Sequence, residues 1–160
     1  MIQLKGMTWD HSRGYDPMIV TSEFFSKKHN NKIQINWEKR SLQAFADRPI
    51  DQMVDEYDLM VIDYPHVGEV SAKGLLQKFD IDKYQNELNL LKEQSVGLSH
   101  QSYNIDGHQW ALAIDAATQV SCFRKDLISS LPQSWNDLLN LSKQNKVLWP
   151  LKPVHAISSF

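Results

Sequence analysis

GHQWALAIDAATQVSCFRKDL, residues Gly107–Leu127, carries its large apolar side chains at every second position. Trp110, Leu112 and Ile114 alternate with Ala111, Ala113 and Asp115. A small, polar patch follows at Asp115–Gln119. A second alternating run then sets Val120, Cys122 and Arg124 on one face. Successive side chains of an extended chain point to opposite sides, so a period of two is the pattern of a strand. The run predicts two strands meeting at a polar kink. A plain hairpin or a single bent strand satisfies the same alternation.

The wording of the run narrows this choice. An aromatic residue, small residues, a polar kink and an apolar strand ending in Arg-Lys-Asp-Leu occupy Gln109–Leu127. In this order they resemble the crossover segment of family 1 of the extracellular solute-binding proteins, the substrate-capturing subunits of ABC importers. Downstream, LPQSWNDLL at Leu131–Leu139 resembles that family's Pro-x-Thr/Ser-Trp-Asp/Asn-Glu/Asp-Leu helix start. The resemblance implies an α/β fold of the periplasmic-binding-protein type II kind, a mostly parallel sheet with helices on both faces. It implies an N-terminal lobe over residues 1–112, crossover or hinge strands over 113–124, and the incomplete beginning of a second lobe over 125–160. Members of the family are two-lobed and much longer, so a partial chain is expected. Also implied are a non-catalytic role, a small polar solute, a permease partner, a periplasmic or extracellular location and no cofactor.

Composition sets the outer bounds. Apolar residues make up 42% and charged residues 22% of the 160, the balance of a globular protein with one ordinary core. A net charge of −2 leaves no electrostatic footprint for nucleic acid or anionic membrane. No apolar run approaches the ~18 residues of a transmembrane helix. Met1–Met7 reads directly as a strand rather than a secretion signal, so the expected compartment rests on the resemblance alone. The single cysteine, Cys122, excludes an internal disulfide.

Back at the N-terminus, Ile2–Trp9 predicts a strand with Ile2, Leu4 and Met7 inward. A polar loop follows over Asp10–Pro17, in which Asp16 caps and Pro17 opens a helix over Met18–His29. Ile19, Val20, Phe24 and Phe25 form its expected core stripe. Lys32–Glu38 predicts a second strand with Ile33, Ile35 and Trp37 on one face, and Lys39–Ser41 a loop. Pro49–Tyr57 reads as a short helix capped from Asp47. Asp58–Ile62, DLMVI, is nearly all apolar and predicts a central strand covered on both faces. Val67–Gly74 is a short helix ended by Gly74, with Leu75 and Leu76 behind it. Ile81, Tyr84, Leu88 and Leu91 suggest helical pieces, and Asp106-Gly107 a hairpin turn. Trp135–Lys143 predicts a helix, Lys146–Trp149 a strand and Pro153 a further helix start. The alternation of strands and helices is the grammar of a parallel sheet.

Ligands of open α/β sheets bind beyond the carboxyl ends of the strands. That rule selects Trp9, Asp10, His11, Arg13 and Tyr15 after the first strand, and Arg40 and Ser41 after the second. It selects Asp63, Tyr64, Pro65 and His66 after the third, and Asp115, Thr118 and Gln119 at the crossover. Lys152 and His155 follow the strand beyond it. The resemblance points to the same loops, apart from the one after the second strand. Aromatic faces suit a sugar ring or a cation, Arg and Lys a carboxylate or phosphate, and Asp a hydroxyl or amine. Sugar, carboxylate and amine solutes therefore all remain open. Asp10 and Asp16 read equally as helix caps, and Arg40 as a surface charge. Trp110, Trp135, Phe24 and Phe25 read as core.

Two enzyme readings compete. Asp10-His11, Asp63-x-x-His66 and Asp106-Gly-His108 resemble fragments of a zinc or iron site, although none has the helical spacing of a zinc-protease motif. Cys122, close to the crossover, could serve as a nucleophile on a similar two-lobed fold. Its place in an apolar strand favours a small buried residue instead.

Overall fold

Strand β1, Ile2–Trp9, lies between two parallel neighbours, β2 (Ile33–Arg40) and β3 (Leu59–Met60). The β1–β2 ladder runs from Ile2 opposite Ile33 to Trp9 opposite Arg40, and β3 pairs Gly6 with Leu59 and Met7 with Met60. The period of two then assigns the faces. Gly6, Thr8 and their partners Trp37 and Lys39 face helix α1, Ser12–Lys28. Trp37 Nε1 donates to Ser22 Oγ at 2.8 Å, and Thr8 Oγ1 donates to the Gly14 carbonyl at 3.1 Å. Met7 faces the other way, into a core of Ile50, Met53, Tyr57 and Val70, with Trp9 packed at its margin. That second face is covered by the 3-10 turn Ile50–Gln52 and by α2, Val67–Ala72. A computed structural model describes residues 1–41, 48–79, 82–153 and 156, and it divides the chain into two compact units, Met1–Ala116 and Ala117–Phe160.

Helix α1 departs from its sequence expectation at both its start and its face. It begins at Ser12, capped by His11, whose Nδ1 accepts from the Arg13 N–H at 3.1 Å. Pro17 is therefore inside the helix and costs one helical hydrogen bond near its start. Its buried positions are Gly14, Ser22 and Ser26. A row of small residues lets the backbone approach the sheet, where the Trp37 ring already fills the space. Phe24 and Phe25 are turned outward, 70% and 37% exposed, rather than forming the core.

Strand β3 is also shorter than DLMVI implies. Only Leu59 and Met60 join the ladder, and among the described residues β3 is an edge strand, not a central one. Beyond it, Val61 and Ile62 pack against the core without a second neighbour to pair with. Ile2, expected inward, is exposed. The remaining short elements follow local chemistry. Helix α3, Gln85–Gln94, buries only Leu88. The hairpin of β4 (Asn104–Ile105) and β5 (His108–Gln109) turns on Asp106 and Gly107, with φ of +53° and +77°. Asp47 and Ile81 lie outside the described residues.

No ladder forms along residues 110–124 among the described residues, so the two predicted crossover strands are not formed. Trp110 is half-buried, its Nε1 donating to the Ile105 carbonyl at 3.1 Å, whereas Val120 and Cys122 are exposed. Alternation produces a strand only where another backbone lies alongside to satisfy its N–H and C=O groups. In the second unit, helix α4 spans Trp135–Lys143 as predicted. Ser134 Oγ accepts from the Asp137 N–H at 3.2 Å and donates to Asp137 Oδ2 at 2.8 Å, a reciprocal N-terminal cap. Trp135 is 52% exposed and stacks obliquely on Trp149 at 5.6 Å instead of entering a core. Among the described residues Lys146–Trp149 forms no ladder either, and Leu148 is fully exposed. Near Pro153 the Ala156 N–H donates to the Lys152 carbonyl at 2.8 Å.

Candidate functional site

Parallel pairing sends the carboxyl ends of β1, β2 and β3 to one edge of the first unit. Trp9 closes β1 there, and its ring lies so close to Gly14 that no Cβ would fit between them. Asp10 follows, its N–H donating to the Arg40 carbonyl at 2.6 Å and its carboxylate meeting Lys39 Nζ at 3.2 Å. Lys39 Nζ also sits over the Tyr15 ring, 4.3 Å from its centre. His11 is occupied as the α1 cap. Arg13 is paired with Asp115, which brings the start of α1 together with the last residues of the first unit.

Arg40 ends β2 rather than lying in a loop, and alternation sets its side chain on the core face. It stands 3.8 Å from Glu56 and 5.6 Å from the centre of the Tyr57 ring. Tyr57 donates its hydroxyl to Glu38 at 2.8 Å, and Lys5 meets Glu38 at 3.1 Å. These partners, the Tyr57 hydroxyl first, hold the Glu38 carboxyl below the ordinary glutamate range.

Asp63 lies three residues beyond the last ladder residue of β3, extended at φ −81° and ψ 144°, and precedes the 3-10 turn Tyr64–His66. Its carboxyl remains open to solvent, yet the protein around it removes enough water to raise its pKa, an effect that His66 partly opposes. The Tyr64 ring meets that of Tyr103 edge to face, with centres 6.1 Å apart and an interplanar angle of 87°. Burial first, and then the charge of Asp63, raise the pKa of the Tyr103 phenol. Asp63, Tyr64, His66 and Tyr103 thus form one local group. Tyr103 was not among the residues selected from sequence. Its only signal there is a tyrosine at the foot of an Asp-Gly hairpin, and pattern does not say which loop a hairpin leans on.

Thr118, Gln119 and Lys152 belong to the second unit, where all three are exposed. His155 lies outside the described residues. The first unit holds a cavity of about 230 Å³ that His66 lines together with Arg48, Ile50, Val70 and Lys73. The second unit holds a larger one of about 730 Å³ between residues 125–133 and α4. Among the described residues, no three His, Cys, Asp or Glu side chains gather as metal ligands would. His108 instead meets Lys78 Nζ at 3.2 Å. Cys122 is exposed, not the small buried residue that its strand pattern suggested.

No protein-family model and no curated protein matches the chain. Solved structures do. The periplasmic solute-binding protein ECA2210 from Pectobacterium atrosepticum SCRI1043 superposes with a TM-score of 0.62 at 16% identity, over 91% of this chain and 37% of its own. A cyclo/maltodextrin-binding protein complexed with maltotetraose superposes with a TM-score of 0.55 at 18% identity, over 89% of this chain and 36% of its own. The chain spans little more than a third of the length of each. Its small parallel sheet, covered by helices on both faces, has the α/β fold of a lobe of the periplasmic solute-binding proteins.

Proposed function

We propose that the chain is part of a solute-binding subunit of an ABC importer, of the family 1 kind, acting in the periplasm or on the outer membrane face. The observation that carries this reading is the superposition of nine-tenths of the chain on a periplasmic solute-binding protein. The maltotetraose held by the second neighbour supports a small polar solute as ligand. The solute would dock on the carboxyl edge of the first unit, against Trp9, Asp10, His11, Arg13, Tyr15, Arg40, Asp63, Tyr64 and His66, with Tyr103 added. Asp115, Thr118 and Gln119 would form part of a hinge, and Lys152 and His155 would approach from a second lobe. Closure would bury the solute and present a surface to the permease, with no chemical step.

A thermal-shift panel of maltotetraose, polyols, organic acids, amines and divalent metals tests the reading. A solute at about 100 times its dissociation constant adds about 2.7 kcal/mol, which moves the midpoint by several degrees. Stabilisation by one solute class is the expected result. Stabilisation by zinc alone, reversed by a chelator, would replace transport with a metal-dependent activity.

A further inference from the structure

Charge matching at the carboxyl edge separates one group from the rest. The arginine and lysine side chains described there already face carboxylates of the chain itself: Arg13 faces Asp115, Lys39 faces Asp10 and Arg40 faces Glu56. An anionic solute would have to displace one of these acids. The carboxylate of Asp63, by contrast, has no ion pair and accepts no hydrogen bond among the described residues, and His66 is the one basic group near enough to act on it electrostatically.

The tyrosines divide in the same way. Tyr15 carries Lys39 over its ring, Tyr57 carries Lys5 and Arg40, and Tyr84 carries Lys83. Tyr64 and Tyr103 carry no cation among the described residues, and they are the pair beside Asp63. The face of an aromatic ring is its electron-rich part, and an unpaired carboxylate beside a pair of tyrosines that meet edge to face is the chemistry that holds an ammonium group.

We infer that the solute is cationic, a primary or quaternary ammonium whose charged end rests on Asp63 and the rings of Tyr64 and Tyr103. This rests on the solute-binding reading above and names the class of its ligand.

Titration calorimetry of the whole chain at pH 7.5 with choline, putrescine, maltotetraose and succinate, each used separately, tests the inference. Choline or putrescine is expected to bind, and maltotetraose and succinate are not. Asp63→Asn, which keeps the shape and removes the charge, should weaken cation binding by about tenfold or more. Tyr64→Leu should weaken choline binding severalfold, with circular dichroism confirming that both variants fold. Binding of maltotetraose or succinate without either cation overturns the cationic assignment and leaves the solute-binding reading standing. Cation binding that Asp63→Asn leaves unchanged overturns the assignment of the site. Failure of all four probes overturns the inference together with the reading beneath it.

Discussion

Replacing Gly6 with alanine tests the packing on which the first unit rests. A Cβ built at Gly6 would lie 2.5 Å from Trp37 Cε3, 2.6 Å from Cδ2 and 2.8 Å from Cζ3. Ordinary carbon contacts begin at about 3.5 Å, so the ring must retreat by about 1 Å. It cannot do so freely, because its Nε1 is held by Ser22 Oγ at 2.8 Å. Overpacking of this kind costs about 1–3 kcal/mol, and a lost hydrogen bond adds about 1 kcal/mol. Alanine recovers about 0.5–1 kcal/mol through the lower entropy of the unfolded chain. The net expectation for Gly6→Ala is a loss of about 2 kcal/mol, against about 1 kcal/mol for Ser22→Ala. Urea unfolding followed by far-ultraviolet circular dichroism measures both. In a Trp37→Leu background the alanine should cost at least about 1 kcal/mol less, since the clash is gone. A Gly6→Ala variant as stable as the parent, or a penalty that survives removal of the indole, refutes the reasoning.

Two further predictions concern charge and capping. Ser134→Ala removes both bonds of the α4 cap and should destabilise the second unit by about 1 kcal/mol. The Ser134 hydroxyl, followed by the Gln133 N–H, holds the Asp137 carboxyl below its usual range. Its contribution is therefore present above the usual aspartate pKa and lost as pH falls through the lowered value. In Ser134→Ala the acid-induced loss of α4 ellipticity should consequently shift to higher pH. Asp63 has the opposite sign. Partial desolvation raises its pKa, so the charged form costs stability above the raised value and nothing below the unfolded one. Asp63→Asn should raise the melting midpoint at pH 7 and leave it unchanged at pH 3; a lower midpoint at pH 7 would show the carboxylate to be stabilising.

The elements legible in the sequence are those whose cause is local. Ile2–Trp9 is placed to the residue, although its apolar alternation slips at Gly6, so that Met7 faces opposite to Ile2 and Leu4 rather than sharing their side. The Asp106-Gly107 turn and the Ser134–Asp137 cap are each decided by a few neighbouring atoms. What pattern could not show depends on a distant partner. Phe24 and Phe25 read as core until Trp37 is seen to occupy that face of the sheet. The crossover alternates like a strand, yet among the described residues no ladder forms along it. The same division holds at the site. The strand-end rule finds Asp63 and Tyr64, whereas Tyr103 arrives from another loop and Arg40 proves to be the last residue of β2, on a face that only pairing defines.

The position of β1 between β2 and β3 has a consequence for the order of synthesis. β1 leaves the ribosome before either neighbour exists. The Gln3–Gln34 side-chain bond across β1 and β2 spans 31 residues, and the contact of Lys5 with Asp58 beside β3 spans 53. Each closure costs chain entropy before any ladder repays it, which makes parallel pairing slow. Until β2 has emerged both edges of Ile2–Trp9 stay open to any passing strand, and one stays open until β3 follows. The nascent segment that most needs shielding by a chaperone is thus the one that becomes best covered in the finished sheet.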